Sequence, residues 1–311
     1  MEPFPGEPKS GPSAIADLAS EFEFADRLYR FWLRRYRGEL ERSGLPSRVS
    51  EVAILLTTQA CRLYRSSIEE CRRGEGLGAS VLARSLYETL IALKFVLKRN
   101  VRIIIAPSAP GADTYVARPP SRNNRAIGKA FLTREHRACL YVLHAQLESE
   151  RLRRKRRAAA GANRAGLLKP SRSDAAAHKE RAAIEEFVGR EWCYVLKHKP
   201  HTYSGLSFEA IARLVDSNRK LSQWYAASFH IQSGVAHTAS GQSHAKIKSS
   251  EGLELALQSA ADEIRGTIQI AAAMLLACIA TAHNELEGAP ALGKALEGMV
   301  ADYRRIFEAY G

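Results

Sequence analysis

The sequence predicts an all-α protein, an irregular multi-helix bundle carrying two flexible inserts, one rich in proline and one basic. Three observations carry that expectation. Apolar residues recur with the 3.6-residue spacing of an amphipathic helix along almost the whole chain. Clusters of Gly and Pro cut the chain into pieces of helix length. A single run, Val101-Arg-Ile-Ile-Ile, has the β-branched character of a strand, and no alternating pattern accompanies it.

The elements follow in order. Residues 1–13 hold four prolines and read as a disordered leader. A first helix is expected from about Ala14 to Arg42, with Ile15, Leu18, Phe22, Leu28, Phe31 and Leu40 on its apolar side, until Ser43-Gly-Leu-Pro stops it. A second runs from about Ser47 to Arg73, where Gly74, Gly76 and Gly78 break the chain, and a third from Ala79 to Arg99. Residues 100–130 read as a loop insert, because Pro107, Pro110, Pro119 and Pro120 remove donors and restrict their neighbours, so 107–122 should lack regular structure. Helix returns over Thr133–Arg157 and about Asp174–Lys199, with a soft basic stretch about 151–173 that overlaps the first of these. Ser207 has the chemistry of an N-cap for a short helix. Further helices are expected over Ser217–Ala239, Ser250–Glu287 and Leu292–Tyr310. The whole of 14–311 reads as a single helical domain.

The chain has 46% hydrophobic and 25% charged residues, enough for a core and against wholesale disorder. Five cysteines, Cys61, Cys71, Cys139, Cys193 and Cys278, have no C-x-x-C spacing. Neither a disulfide framework nor a zinc ribbon is indicated, and reduced thiols in a cytoplasmic protein are the simplest expectation. No cofactor is implied. The N-terminus lacks the apolar core of a signal peptide. The most apolar stretch, Ile268–Ala282, is interrupted by Gln269 and Thr281 and reads as a buried helix, so no membrane partner is expected. Lys and Arg number 46 against 33 Asp and Glu, a formal charge of +13 that favours an acidic partner, RNA or another polyanion. Much of the excess lies in Arg151, Arg153, Arg154, Lys155, Arg156 and Arg157, a run that suits either a solvated helix face or a nucleic-acid contact. No aromatic residue interleaves with it, so stacking on single-stranded bases is not indicated.

The third helix carries the most specific chemistry. Leu77, Val81, Arg84, Glu88, Ile91 and Phe95 fall on one stripe about 80° wide at about 100° per residue. Leu82, Leu86, Leu90, Leu93, Val96 and Leu97 cover most of the rest, so the helix should be buried, with Arg84 and Glu88 mostly buried and in need of partners. They are either an ion pair that fixes helix register or part of a functional pocket. On the helix expected over Ser217–Ala239, Gln223, His230, Ser233 and His237 share a face. That face is either a solvated polar stripe or the other wall of the pocket, with His237 as acid or base and Ser233 placing a ligand oxygen. His230, His237 and His244 recur every seven residues without a carboxylate on the face, so no metal site is expected.

ARSLYETL (83–90) and, much later, SGVAH (233–237) resemble DUF5677, a mainly prokaryotic helical family of unknown function. The resemblance spans Ser47 to about Lys248 and implies importance for Arg84, Glu88, Ser233 and His237, with no established activity. The proline-rich stretch 107–120 departs from the expected pattern. A wider similarity is to HEPN-type helical ribonucleases, which cleave RNA with an Arg and a His on one helix. The spacing occurs at Arg137 with His144 and at Arg172 with His178, no more often than chance allows. Such an activity would here need Arg84 and His237 from separate helices.

No Walker loop, Rossmann fingerprint, HExxH or G-x-S-x-G is present. Three functions remain: a phosphodiester- or nucleotide-directed enzyme with an Arg84/Glu88/His237 pocket, a non-catalytic nucleic-acid binder, and a regulatory interaction module with a structural ion pair. For the binder, 207–226 also divides as a helix-turn-helix, with two ordinary bundle helices as the alternative.

Overall fold

The computed structural model of the chain describes residues 15–38, 47–99, 101–109, 112–119, 131–160, 172–198, 202–216, 261–285 and 290–307. Helix accounts for 83% of them, in nine α-helices among the described residues. These are α1 (Ala19–Phe31), α2 (Ser47–Arg72), α3 (Gly76–Leu97), α4 (Arg134–Ala160), α5 (Arg172–Val188), α6 (Arg190–His198), α7 (Phe208–Val215), α8 (Ala261–Glu285) and α9 (Pro290–Phe307). The all-α expectation is met.

The chain divides into two compact units, one of residues 1–45, 53–94 and 218–311, the other of 46–52 and 95–217. Two of the four boundaries, 52/53 and 94/95, fall inside helices, within α2 and near the end of α3, where no linker composition marks them.

In the first unit α1 packs on α8 and α9. Phe24 is fully buried there, edge-on to Phe307 with ring centroids 5.8 Å apart. The Tyr64 hydroxyl of α2 donates to the Ala25 carbonyl at 3.2 Å, and Arg72 bridges to Asp26 at 2.7 Å. After Phe31 the helix widens into a π-helical turn, Trp32–Tyr36, whose longer repeat brings the buried Trp32 and Tyr36 ring to ring at 5.0 Å. Between α2 and α3 only Gly74 takes a positive φ, 82°. Its amide reaches the Cys71 carbonyl and the Glu75 amide reaches Glu70, the paired bonds of a Schellman cap. Gly76 and Gly78 are helical.

Helix α8 is long and apolar enough to cross a membrane by length and composition. Within the unit it is a core helix, with Ile264, Ile268, Ala271, Leu275 and Ile279 all fully buried. Pro290 occupies the first position of α9, where its missing N–H costs nothing.

In the second unit α4, α5 and α6 pack together. Residues 101–109 and 112–119 are not the structureless insert that their prolines predict, while 120–130 lie outside the described residues. Val101–Arg102 pairs antiparallel with Phe131–Leu132, and Ile104–Pro107 with Tyr115–Arg118. Among the described residues each sheet has two strands, so both members are edge strands there, and an edge tolerates Pro107 at a strand end and Pro119 just past one. The basic stretch is also more regular than expected: 151–160 continue α4, while 161–171 lie outside the described residues. The helix expected over 174–199 is two helices, because Gly189 adopts φ +87° between α5 and α6. Ser207 caps α7 as its sequence indicates, its Oγ accepting from the Ala210 amide at 3.2 Å.

Candidate functional site

Helix α3 places Arg84 and Glu88 one turn apart, with Arg84 Nε 3.3 Å from Glu88 Oε1. The stripe they share is not buried along its length. Val81 at its start is exposed, whereas Ile91 and Phe95 are fully buried. Arg84 and Glu88 lie between these extremes and retain 27% and 42% of their side-chain surface, more than a buried helix predicts. Both charges therefore keep part of their hydration.

Three polar residues that the sequence reading passed over share the Arg84 side of α3: Ser80, Tyr87 and Lys94, within about 80° of it at helical spacing. Tyr87 is buried; Ser80 and Lys94 are half-buried. Their signal in the sequence is the i−4 and i+3 spacing of Ser80 and Tyr87 from Arg84. The Lys94 charge acts on Cys278 of α8, whose thiol burial pushes above its usual range while Lys94 opposes the shift. Burial likewise raises the phenol of Tyr36, and Cys278 adds to it. Ser233 and His237 lie outside the described residues, as does the second half of the suggested helix-turn-helix.

The basic run forms the C-terminal end of α4. Glu148 and Glu150 anchor its start: Arg151 pairs with Glu148 at 2.5 Å, and Glu150 meets Arg154 at 3.3 Å and Arg181 of α5 at 2.8 Å. These cations hold the Glu150 carboxylate below its usual range, the hydrogen bond from Arg181 contributing most. Beyond Glu150 the sequence has no Asp or Glu until Asp174. Arg153, Arg154, Lys155 and Arg156 are all exposed. Consecutive residues advance about 100° around a helix, so four of them span its circumference. This turn presents cations on every side. The Arg157 side chain lies outside the described residues.

Arg137 is the residue whose importance the sequence reading missed. It is fully buried, on the first turns of α4. Its Nε donates to the Phe95 carbonyl at 2.5 Å, Nη2 to Val96 at 3.2 Å and to Lys98, and Nη1 to Leu132. Arg134 Nε adds a bond to Leu97 at 2.6 Å. Two arginines of α4 thus satisfy the end carbonyls of α3, which has no glycine cap. Next to Arg137, the His136 ring lies 5.7 Å from Phe187 and 6.1 Å from Trp192. Burial lowers its pKa, and the Arg137 charge lowers it further.

All five cysteines are buried and free. Burial raises the pKa of Cys61 and of Cys71 to about 12. No cluster of three metal-ligating side chains occurs among the described residues. An open cavity of about 540 Å³ in the second unit is lined by Arg48, Glu135, Cys139, Lys179, Ile184 and Phe187, with Arg48 held to Glu180 at 2.6 Å.

These features define a helical protein with a cation-studded helix end and a half-buried Arg–Glu pair on a mostly apolar helix. Residues 50–253 match the family of unknown function DUF5677, and the chain belongs to that family. The matched range includes both ARSLYETL and SGVAH, the motifs that carried the resemblance. No curated protein and no solved structure matches the chain. The wider similarity to HEPN-type nucleases gains no support. At one of its two chance spacings, Arg137 is engaged by backbone carbonyls.

Proposed function

We propose that this protein binds an extended polyanion, nucleic acid above all, through the C-terminal end of α4. One observation carries the reading: Arg153, Arg154, Lys155 and Arg156 are exposed around the whole helix, in a segment where cations far outnumber carboxylates. Each cation that meets a phosphate releases a condensed counterion, which makes such binding strong at low salt and steeply salt-dependent. The reading places the protein in a reducing, cytoplasmic setting, consistent with five buried free thiols. Titrating the full chain into fluorescent RNA and DNA at salt from about 50 to about 200 mM tests it. Replacing Arg151, Arg153, Arg154, Lys155 and Arg156 with Ala should weaken binding and flatten the salt slope. An unchanged slope would clear the helix of this role.

A second reading rests on the α3 polar face. Ser80, Arg84, Tyr87, Glu88 and Lys94 gather ionisable and hydroxyl groups on one side of a helix that is mostly apolar. In this reading Arg84 stabilises the charge that develops on a phosphodiester, Glu88 orients Arg84, His237 serves as acid or base and Ser233 positions a ligand oxygen. Hydrolysis of RNA by the full chain that His237→Ala abolishes, with helicity preserved, would support it. Turnover that survives the substitution would end it.

A further inference from the structure

Given the polyanion reading, we infer that the partner is duplex DNA, entered by the α4 end through the major groove. Three features of residues 150–160 point there. The first is shape. A helix with its side chains is about 10–12 Å across, and the B-form major groove is about 12 Å wide with a phosphate ridge on either side. The second is the distribution of charge. At about 100° per residue, Arg153 and Arg156 lean to one side of α4, and Arg154 and Lys155 to the other. All four are exposed. A helix that lies on one phosphate ridge uses one side, whereas a helix seated in a groove uses both. The third is what the segment lacks. No aromatic residue occurs between Arg151 and Ala160, so there is no platform for unstacked bases. Duplex RNA is also a poor fit, because its A-form major groove is deep and too narrow to admit a helix. The segment is helical before any ligand arrives, and Ala158–Ala160 continue it without bulk that would hold the backbone away.

The test uses the full chain and three probes of one sequence: a 20-base-pair DNA duplex, its RNA counterpart and the single DNA strand, about 20 nucleotides each and long enough to exceed one groove contact. Fluorescence anisotropy against salt gives affinity and slope. The DNA duplex should bind at least about tenfold more tightly than either competitor, with a slope of about −3 to −4 arising from these four cations. The paired variants Arg153→Ala/Arg156→Ala and Arg154→Ala/Lys155→Ala should each remove about two units of slope, because each strips one side of the helix. Alanine preserves the helix, and circular dichroism of each variant checks that it does. Equal affinity for single strand and duplex, a preference for duplex RNA, or loss of slope in only one paired variant would overturn groove entry and leave the polyanion reading standing. Failure of all three probes to bind at about 50 mM salt would overturn both.

Discussion

Arg137 and Arg84 both sit in long helices among apolar neighbours, and their environments could hardly differ more. Arg137 has no exposed surface, and its guanidinium spends its donors on carbonyls at the end of α3 and on Leu132. Arg84 keeps 27% of its side chain in solvent and meets a carboxylate one turn away. The difference teaches that helical-wheel position is a poor guide to the burial of a charge. What counts is whether backbone groups need it. The last carbonyls of a helix have no intrahelical donor and carry the negative end of its dipole, so a fork of N–H groups placed there is satisfied and useful at once. In the middle of α3 the backbone is already paired, and a cation there has to find another side chain or water.

The largest effect expected from this comparison is at Arg137. Replacing it with Ala should cost about 3–5 kcal/mol in a urea unfolding series, because several buried acceptors lose a charged donor. Arg137→Lys should recover little of that, since an ammonium lacks the planar fork that reaches separate carbonyls. Recovery to the native midpoint with Lys would show that charge alone, and not geometry, holds the end of α3.

A third arginine sharpens the contrast. Glu21 of α1 is almost wholly buried, accepts from Ser20 Oγ at 2.7 Å and pairs with Arg265 of α8 at 2.8 Å. Arg265 itself is 26% exposed, much like Arg84. The cost of deleting it is set by the partner it abandons, a carboxylate out of reach of water. Arg265→Ala should destabilise the protein by about 3 kcal/mol, and Arg265→Ala with Glu21→Gln by clearly less, read from the same unfolding midpoints. Additive losses would mean that the two residues are not coupled.

How much of this was legible follows from the same physics. Helix periodicity, the Ser207 cap and the breaks near Gly74 and Pro290 are local signals and could be read from the sequence. The pairing of Ile104–Pro107 with Tyr115–Arg118 was not, because prolines that forbid a central strand are harmless on an edge. Gly189 was overlooked because a lone glycine in a helical pattern is usually tolerated, and only its positive φ marks the break. Two of the four boundaries between the units were hidden inside α2 and α3. Arg84 and Glu88 were conspicuous because they interrupt an apolar stripe. Arg137 was not, since nothing in its neighbours announces that the end of another helix lacks donors.

A pH series probes the Arg137 region from its neighbour. Burial, reinforced by the Arg137 charge, lowers the pKa of His136. The unfolded chain then takes up the proton more readily than the folded one. Stability is fully present above the ordinary imidazole pKa of about 6.5 and is lost as pH falls toward the folded value. His136→Phe, which keeps an aromatic ring near Phe187 and Trp192, should make the urea midpoint fall less between about pH 7.5 and about pH 5.5. A slope identical to that of the unaltered protein would place the acid sensitivity elsewhere.

The smallest effect on stability is expected at Glu88, and it separates structure from function most cleanly. A fully buried pair would lose several kcal/mol on Glu88→Gln, because Arg84 would be left charged and dry. Here both side chains are partly hydrated and the pair is an i,i+4 contact with Arg on the N-terminal side, the weaker order. Such a pair contributes about 0.3–0.5 kcal/mol, reduced further by salt. Glu88→Gln should therefore shift the unfolding midpoint by less than about 1 kcal/mol while leaving the helix intact. If the α3 face works on a ligand, the same substitution should abolish that activity at nearly native stability, since a neutral amide cannot hold Arg84 as a carboxylate does. A loss of several kcal/mol would instead return the pair to a purely structural role, and the second functional reading would lose its footing.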